Sequence, residues 1–320
     1  MTSAEFAAGE ACARAALAGN PSDGYGGAVL ALTLDSQRAR ALARPAPALA
    51  ISPESELVRA TVTRFARRLE PAAARTAIVW STSIPPGVGL GGSSAIVIAT
   101  LRALCSLYAV GLTEPELAEL ALAVEVEELG IAAGLQDRVA QAYGGLTFMD
   151  FSRHAGPRPY ERLDPSLLPP LVVAWRYDTA GESGAVHAPL RDRHARGESV
   201  VLEALAELAS LATDARAALL ARDAAQLARC VDGSFDARRR MPPLDPRHVE
   251  MVQCARACGA SANYAGSGGA IVAVCRDGEE RDQTLSALLA LGCEALSPET
   301  PGRYGELNPG DGGDLGTIGA

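Results

Sequence analysis

Residues 85–95 read Pro-Pro-Gly-Val-Gly-Leu-Gly-Gly-Ser-Ser-Ala, a glycine-rich turn between the apolar run 77–80 and a long alanine- and leucine-rich stretch ending near Tyr108. Glycines let consecutive amides converge on an anion, and a helix predicted from about Ser93 adds unpaired N–H groups and its positive dipole end. The segment therefore has the composition of a phosphate cradle, and the hydroxyls of Ser93 and Ser94 suit phosphate or a magnesium ion. It is not a Walker loop, because no Gly-x-x-x-x-Gly-Lys-Ser/Thr occurs and the chain contains no lysine. Phosphate here must be met by amides, serines, arginines and metal. Taken alone, the same glycines also describe a tight strand-to-helix connection.

Two further glycine turns flank it in the chain: Gly19-Asn20-Pro21-Ser22-Asp23-Gly24-Tyr25-Gly26-Gly27 and Asn263-Tyr264-Ala265-Gly266-Ser267-Gly268-Gly269. The elements that must position these turns follow from periodicity. Residues 10–34 read as strand, loop and strand. Residues 54–69 carry helical spacing at Leu57, Val58, Thr61, Val62, Phe65 and Leu69. A strand near 78–81 feeds the loop and its helix. Residues 114–129 form a second helix, opened by Thr113 as cap with Pro115 in the first turn.

A short helix at 136–143, a strand at 145–151 and a strand at 171–175 come next, then a polar loop at 176–187. Residues 198–230 are helical with a break near Asp214, and 248–257 form another helix. Ala270–Cys275 is an apolar strand, and the Gly- and Asp-rich segment 308–320 is expected to be disordered. Strands and helices mix without regular alternation, which favours α+β over a doubly wound sheet. A boundary near 168–170 separates two lobes, 1–168 and 169–307.

At 320 residues, 48% hydrophobic and 21% charged, the chain is expected to be a globular protein able to bury a large core. No apolar run suits a bilayer span, and residues 1–19 lack the pattern of a leader, so a cytoplasmic location without membrane contact is expected. A net charge of −9 argues against a nucleic-acid surface. The seven cysteines form no Cys-x-x-Cys pair and no zinc set, and are expected to be free thiols.

In order, these motifs resemble the GHMP kinases, the superfamily of galactokinase, homoserine kinase, mevalonate kinase and phosphomevalonate kinase. The family's middle motif, Pro-x-x-x-Gly-Leu-Gly-Ser-Ser-Ala, is similar to Pro86, Gly87, Val88, Gly89, Leu90, Gly91, Gly92, Ser93, Ser94 and Ala95, with one residue inserted before the serines. That insertion resembles the glucuronokinase branch. So do residues 19–25, residues 133–141 followed by Tyr143-Gly144-Gly145-Leu146, Ser183-Gly184 with Val186-His187, Phe235-Asp236 with Arg238–Arg240, and 266–270. The resemblance covers residues 13–276 and implies a two-lobed fold, with a ribosomal protein S5 domain 2-like N-terminal lobe and a ferredoxin-like C-terminal lobe.

It also implies ATP and Mg²⁺, with residues 86–95 on the nucleotide phosphates. Asp137 takes the place of the catalytic aspartate, and Arg14 is the arginine brought beside it, which would hold it as a carboxylate and offset charge on the transferred phosphoryl group. Glu125, twelve residues before Asp137, stands where the magnesium-binding glutamate does, with Ser94 as the second oxygen ligand; Glu127 and Glu128 compete for this place. The acceptor is expected to meet Asn20, Ser22, Asp23 and Tyr25, then Ser183 and His187, then Gly266, Ser267 and Gly268. Asp23 would accept from vicinal sugar hydroxyls. For Asp137 a helix cap, and for Arg14 and the glutamates a solvated surface, are the plain alternatives.

The branch is departed from at Gly26, Ala28, Ala185 and Asn263, where aromatic or basic residues are usual. A uronate carboxylate would need a partner, and Arg176, Arg191, Arg193 and Arg238–Arg240 are the cations that could supply it. The implied reaction is phosphoryl transfer from ATP to the anomeric hydroxyl of D-glucuronate or a related sugar or sugar acid. Other polyol or specialised-metabolite acceptors, and a ligand sensor without turnover, are the alternatives. The oligomeric state is not readable.

Overall fold

A computed structural model describes residues 6–156, 159–179, 183–241 and 244–298, with backbone alone for 179 and 183–188. The expected disorder at 308–320 lies outside the described residues. Element order is β1 (Ala7–Ala18), β2 (Ala28–Pro45), β3 (Ala50–Ser52), α1 (Glu56–Arg68), β4 (Thr76–Thr82), α2 (Gly92–Tyr108), α3 (Glu114–Ala123), α4 (Gln136–Tyr143), β5 (Leu146–Asp150) and β6 (Tyr160–Leu163). Then follow β7 (Leu171–Trp175), α5 (Ser183–Ala195), α6 (Ser199–Leu220), α7 (Ala224–Arg239), α8 (Pro246–Ala257), β8 (Ser261–Tyr264), β9 (Ala270–Val274), α9 (Gly278–Ala290) and β10 (Glu294–Leu296).

The 18-residue β2 organises the first sheet. On one edge it pairs antiparallel with β1 along its length; on the other it takes β5 near its start and β4 near its end. Alanines fill β1, and Gly9 lets α2 come close, since a Cβ there would sit 2.1 Å from the Ala99 carbonyl oxygen. The second sheet is wholly antiparallel in the order β10-β7-β9-β8. With its crossover helices this is the split β-α-β-β-α-β arrangement.

Both faces of the middle of that second sheet are covered, so β7 and β9 read as unbroken apolar runs. Alternate residues serve different cores: Leu171, Val173 and Trp175 join the large cluster shared with the first sheet. Val172 and Ala174 instead pack with Met251, Val252 and Leu288 of α8 and α9. The architecture is the α+β fold with two sheets.

Three local readings are corrected. The segment 176–187 is not a loop: it makes a single 3₁₀ turn at Tyr177–Thr179 and enters α5. Asp214 does not break α6, because it lies on the exposed face; the break comes at Arg222, whose φ is +55°, and Asp223 caps α7 by accepting from the Gln226 amide at 2.9 Å. The helix at 114–129 is α-helical only to Ala123, then widens into a π turn at Val124–Glu128. All seven cysteines are free thiols. Among the described residues no helix is long and apolar enough to cross a membrane.

Candidate active site

Among the described residues the outward edge of β1 carries no strand. Its amides are taken by two glycine turns instead, Arg14 N–H donating to the Leu90 carbonyl at 3.0 Å and Ala16 N–H to that of Ala265 at 2.9 Å. The turns press on each other backbone to backbone. A Cβ on Gly266 would lie 2.1 Å from the Gly89 carbonyl oxygen, and one on Gly89 would lie 2.5 Å from that of Gly268. Gly89 and Gly91 also have φ of +76° and +73°, so both close approach and backbone conformation demand glycine.

Buried Val88 and Leu90 anchor the loop, while Pro86, Gly87 and Ser93 face solvent. Gly91 is the N-cap of α2 and offers no side-chain cap, leaving the first amides of a 17-residue helix turned toward the loop. Gly92 opens that helix with ordinary backbone, and nothing lies closer than 3.6 Å to a Cβ placed on it. Ser94 is buried and its hydroxyl donates to the Gly91 carbonyl at 3.1 Å.

Arg14 joins the turns to the start of α4. It is 3% exposed; Nε donates to Asp137 Oδ1 at 2.7 Å, and Nη1 donates to the carbonyls of Gly89 at 2.7 Å and Ala265 at 2.8 Å. Asp137 does not cap α4, whose N-cap position is Leu135. Its carboxylate keeps some solvent contact and meets a guanidinium that the two turns hold in place. Gln141, one turn further on, donates to the Cys12 carbonyl at 3.0 Å and the Gly91 carbonyl at 2.8 Å, fixing α4 against the loop.

Glu125 sits on the π turn, 1% exposed, and its Oε2 receives both Nε (2.7 Å) and Nη2 of Arg138. Burial pushes the Glu125 carboxyl up and Arg138 pulls it back. Arg138 Nη1 donates to the Gly134 carbonyl at 2.7 Å and lies 3.8 Å from Asp137 Oδ2. The competing glutamates are spoken for elsewhere: Glu127 and Glu128 pair with the buried Arg64 of α1, at 2.6 and 3.0 Å. Among the described residues no cluster of three or more His, Cys, Asp or Glu could hold a metal. Oε2 of Glu125 is taken by Arg138 and the Ser94 hydroxyl by the Gly91 carbonyl, while magnesium keeps several of its waters and needs few protein groups.

On the acceptor side, Asp23 lies on a 3₁₀ turn, Ser22–Tyr25, and its Oδ2 is 2.5 Å from where a Gly134 Cβ would be, so this approach requires glycine at 134. Burial, with the charge of Asp137 next, pushes the Asp23 carboxyl up to about 6, against the pull of Arg14 and of the Gln136 and Gly24 amides. Asn20 is consumed by the protein: Nδ2 donates to Gln136 Oε1 at 2.6 Å and Oδ1 accepts from Arg238 at 2.7 Å. Ser22 is turned away, its hydroxyl closing the loop on the Ala28 carbonyl at 2.8 Å. The Tyr25 ring packs against that of His194, tilted by 46° with centroids 4.5 Å apart. The side chains of Ser183 and His187 lie outside those described. Ser267 contributes its carbonyl, which accepts from Arg238 at 3.2 Å.

The structure therefore gathers Arg14, Asp137, Asp23 and both glycine turns, with Glu125 joined to the group through Arg138. Sequence reasoning gave no role to Arg138, Gln136 and Gln141, although all three lie in the quoted segment 133–141. It named Arg238 only as one of several arginines.

A glycine loop ahead of a long helix, a carboxylate held by a buried arginine and a split antiparallel sheet together define a small-molecule phosphotransferase fold and site. Residues 56–145 match the family described as GHMP kinases N terminal domain. Glucuronokinase 1 of Arabidopsis thaliana is 35% identical over 312 residues, covering 85% of this chain and 86% of the relative. Probable glucuronokinase 2 of the same plant is 41% identical over 215 residues, 64% of this chain and 58% of the relative. In fold, the chain is similar to Streptococcus pneumoniae phosphomevalonate kinase in complex with phosphomevalonate and AMPPNP (TM-score 0.78, 16% identity, 91% and 99% covered). It is also similar to Lactococcus lactis galactokinase complexed with galactose (TM-score 0.73, 16% identity, 93% and 95% covered). The chain belongs to the GHMP kinases, in their glucuronokinase-like branch. It is a sugar kinase, a phosphotransferase with an alcohol group as acceptor.

Proposed function

We propose that the protein transfers the γ-phosphoryl group of ATP to the anomeric hydroxyl of D-glucuronate or a closely related sugar acid, giving the 1-phosphate and ADP. The observation that carries the reading is the Arg14 guanidinium, 2.7 Å from Asp137 and bonded to the carbonyls of both glycine turns. One group thereby sets the place of the acceptor's proton relative to the phosphate loop. Residues 1–168 and 169–307 are proposed as the two lobes, the chain passing from one sheet to the other between β6 and β7.

The amides of residues 87–95 receive the nucleotide phosphates. Glu125 and Ser94 would hold magnesium, which when bound supplies charge neutralisation on those phosphates. Asp23 accepts hydrogen bonds from sugar hydroxyls and fixes the ring. Asp137 orients the reacting hydroxyl and takes its proton as the oxygen–phosphorus bond forms. Arg14 stays bonded to Asp137 throughout and offsets charge at the transferring group. The test is ADP release over a panel of uronates, aldoses and polyols: turnover is expected with D-glucuronate, and turnover with none would end the reading.

A further inference from the structure

Among the described residues four arginines are buried: Arg14, Arg64, Arg138 and Arg238. The first three each have a carboxylate, on Asp137, on Glu127 and Glu128, and on Glu125. Arg238 is 3% exposed, and among the described residues none offers it an ion pair. Its bonds go to neutral oxygens, Asn20 Oδ1 and the Ser267 carbonyl, and its guanidinium lies 4.9 Å over the Tyr264 ring. A buried cation without an ion pair is costly, and desolvation pulls this guanidinium down to about 10, with Tyr264 and Asp23 pulling the other way.

A second unmet donor lies on the other side of Asn20. Gln136 is 1% exposed; its Oε1 accepts from Asn20, and its Nε2 has no hydrogen-bond partner among the described residues. Asn20 thus links a buried cation and a buried amide donor, both lacking an anionic acceptor, one residue from Asp137 and three from Asp23. The other candidate cations are engaged or exposed. Arg176 pairs with Asp178, Arg193 with Glu198 and Arg240 with Glu207, while Arg191 and Arg239 lie in solvent.

We infer that Arg238, held in place by Asn20, receives the carboxylate of the acceptor and makes the pocket select a sugar acid over its neutral counterpart. This rests on the kinase reading above. A carboxylate there would complete the guanidinium's charge, whereas a CH₂OH group would leave the cation unpaired.

The test compares kcat/KM for D-glucuronate and D-glucose, together with the thermal shift each sugar produces, in the parent and in Arg238→Gln. Arg238→Gln should lose about 100-fold on glucuronate, the worth of a charge-assisted contact, while glucose changes little and the glucuronate thermal shift disappears. Asn20→Asp gives the guanidinium an internal carboxylate without removing it, and should also abolish the preference; it serves if Arg238→Gln does not fold. Equal loss on both sugars, or a preference that survives in both variants, would overturn the assignment. A parent enzyme that phosphorylates neutral sugars only would overturn it and leave the kinase reading standing. Turnover of no sugar would remove the kinase reading itself.

Discussion

Arg138 directs two nitrogens, Nε and Nη2, onto the single oxygen Oε2 of Glu125. This pair is sealed, with Glu125 1% and Arg138 5% exposed, and it stands between the π turn and the helix that carries Asp137. Two charges so placed contribute little net stability as a pair, yet either one alone is a buried unpaired ion. Arg138→Met should therefore destabilise the fold by about 3–5 kcal/mol. Replacing both members, Arg138→Met with Glu125→Leu, should recover a good part of that loss. Urea unfolding of the single and double variants measures both, and a single variant as stable as the parent would contradict this account.

Asp137→Asn keeps the shape of the side chain and its place beside Arg14 but cannot take a proton. Turnover should fall by about 10²–10⁴, with nucleotide affinity nearly unchanged because the phosphate loop is untouched. Single-turnover kinetics with parallel calorimetry of nucleotide binding separate the two, and near-parental turnover would remove Asp137 from its role.

Asp23 lies at about 6, raised from its ordinary 3.8 chiefly by burial. As a carboxylate it can accept from two hydroxyls, so kcat/KM should decline as pH falls through about 6. The stability consequence has the opposite direction. Between 3.8 and 6 the folded state binds more protons at this site than the unfolded chain, so stability falls as pH rises through that window and levels off above it. Asp23→Asn should remove this contribution and gain on the order of 1–2 kcal/mol at pH 7 relative to pH 4. Denaturant midpoints at both pH values decide it.

Glycines of the same loop should differ sharply in tolerance. Gly89→Ala places a methyl against the Gly268 backbone at a φ of +76°, so both turns must separate. A loss of about 3 kcal/mol or more is expected, with loss of nucleotide binding. Gly92→Ala meets only Ile84 at 3.6 Å in ordinary helical backbone and should unfold within about 0.5 kcal/mol of the parent or above it. Comparable melting points for the two would contradict the packing described.

Local signals in the chain carried far. Helix α4 begins and ends where its pattern does, at Gln136 and Tyr143, and the apolar run of β7 matches its strand. Reading failed where composition misled. The polar stretch before Leu190 gave no apolar period, yet it leads into α5; Asp214 looked like a stop but points to solvent from the middle of α6. The acceptor side of the site was least legible because it is assembled over long separations. Arg238 and Asn20 are 218 residues apart, and although Arg238 continues the buried period of Leu227, Val231 and Phe235 on α7, nothing local says what it meets there. The same holds for Arg14 reaching Ala265, 251 residues away.

The edge of β1 closed by Leu90 and Ala265 also governs how the enzyme can breathe. Lifting the phosphate loop would strip hydrogen bonds from a strand whose other edge is locked to β2, so that wall behaves as fixed masonry.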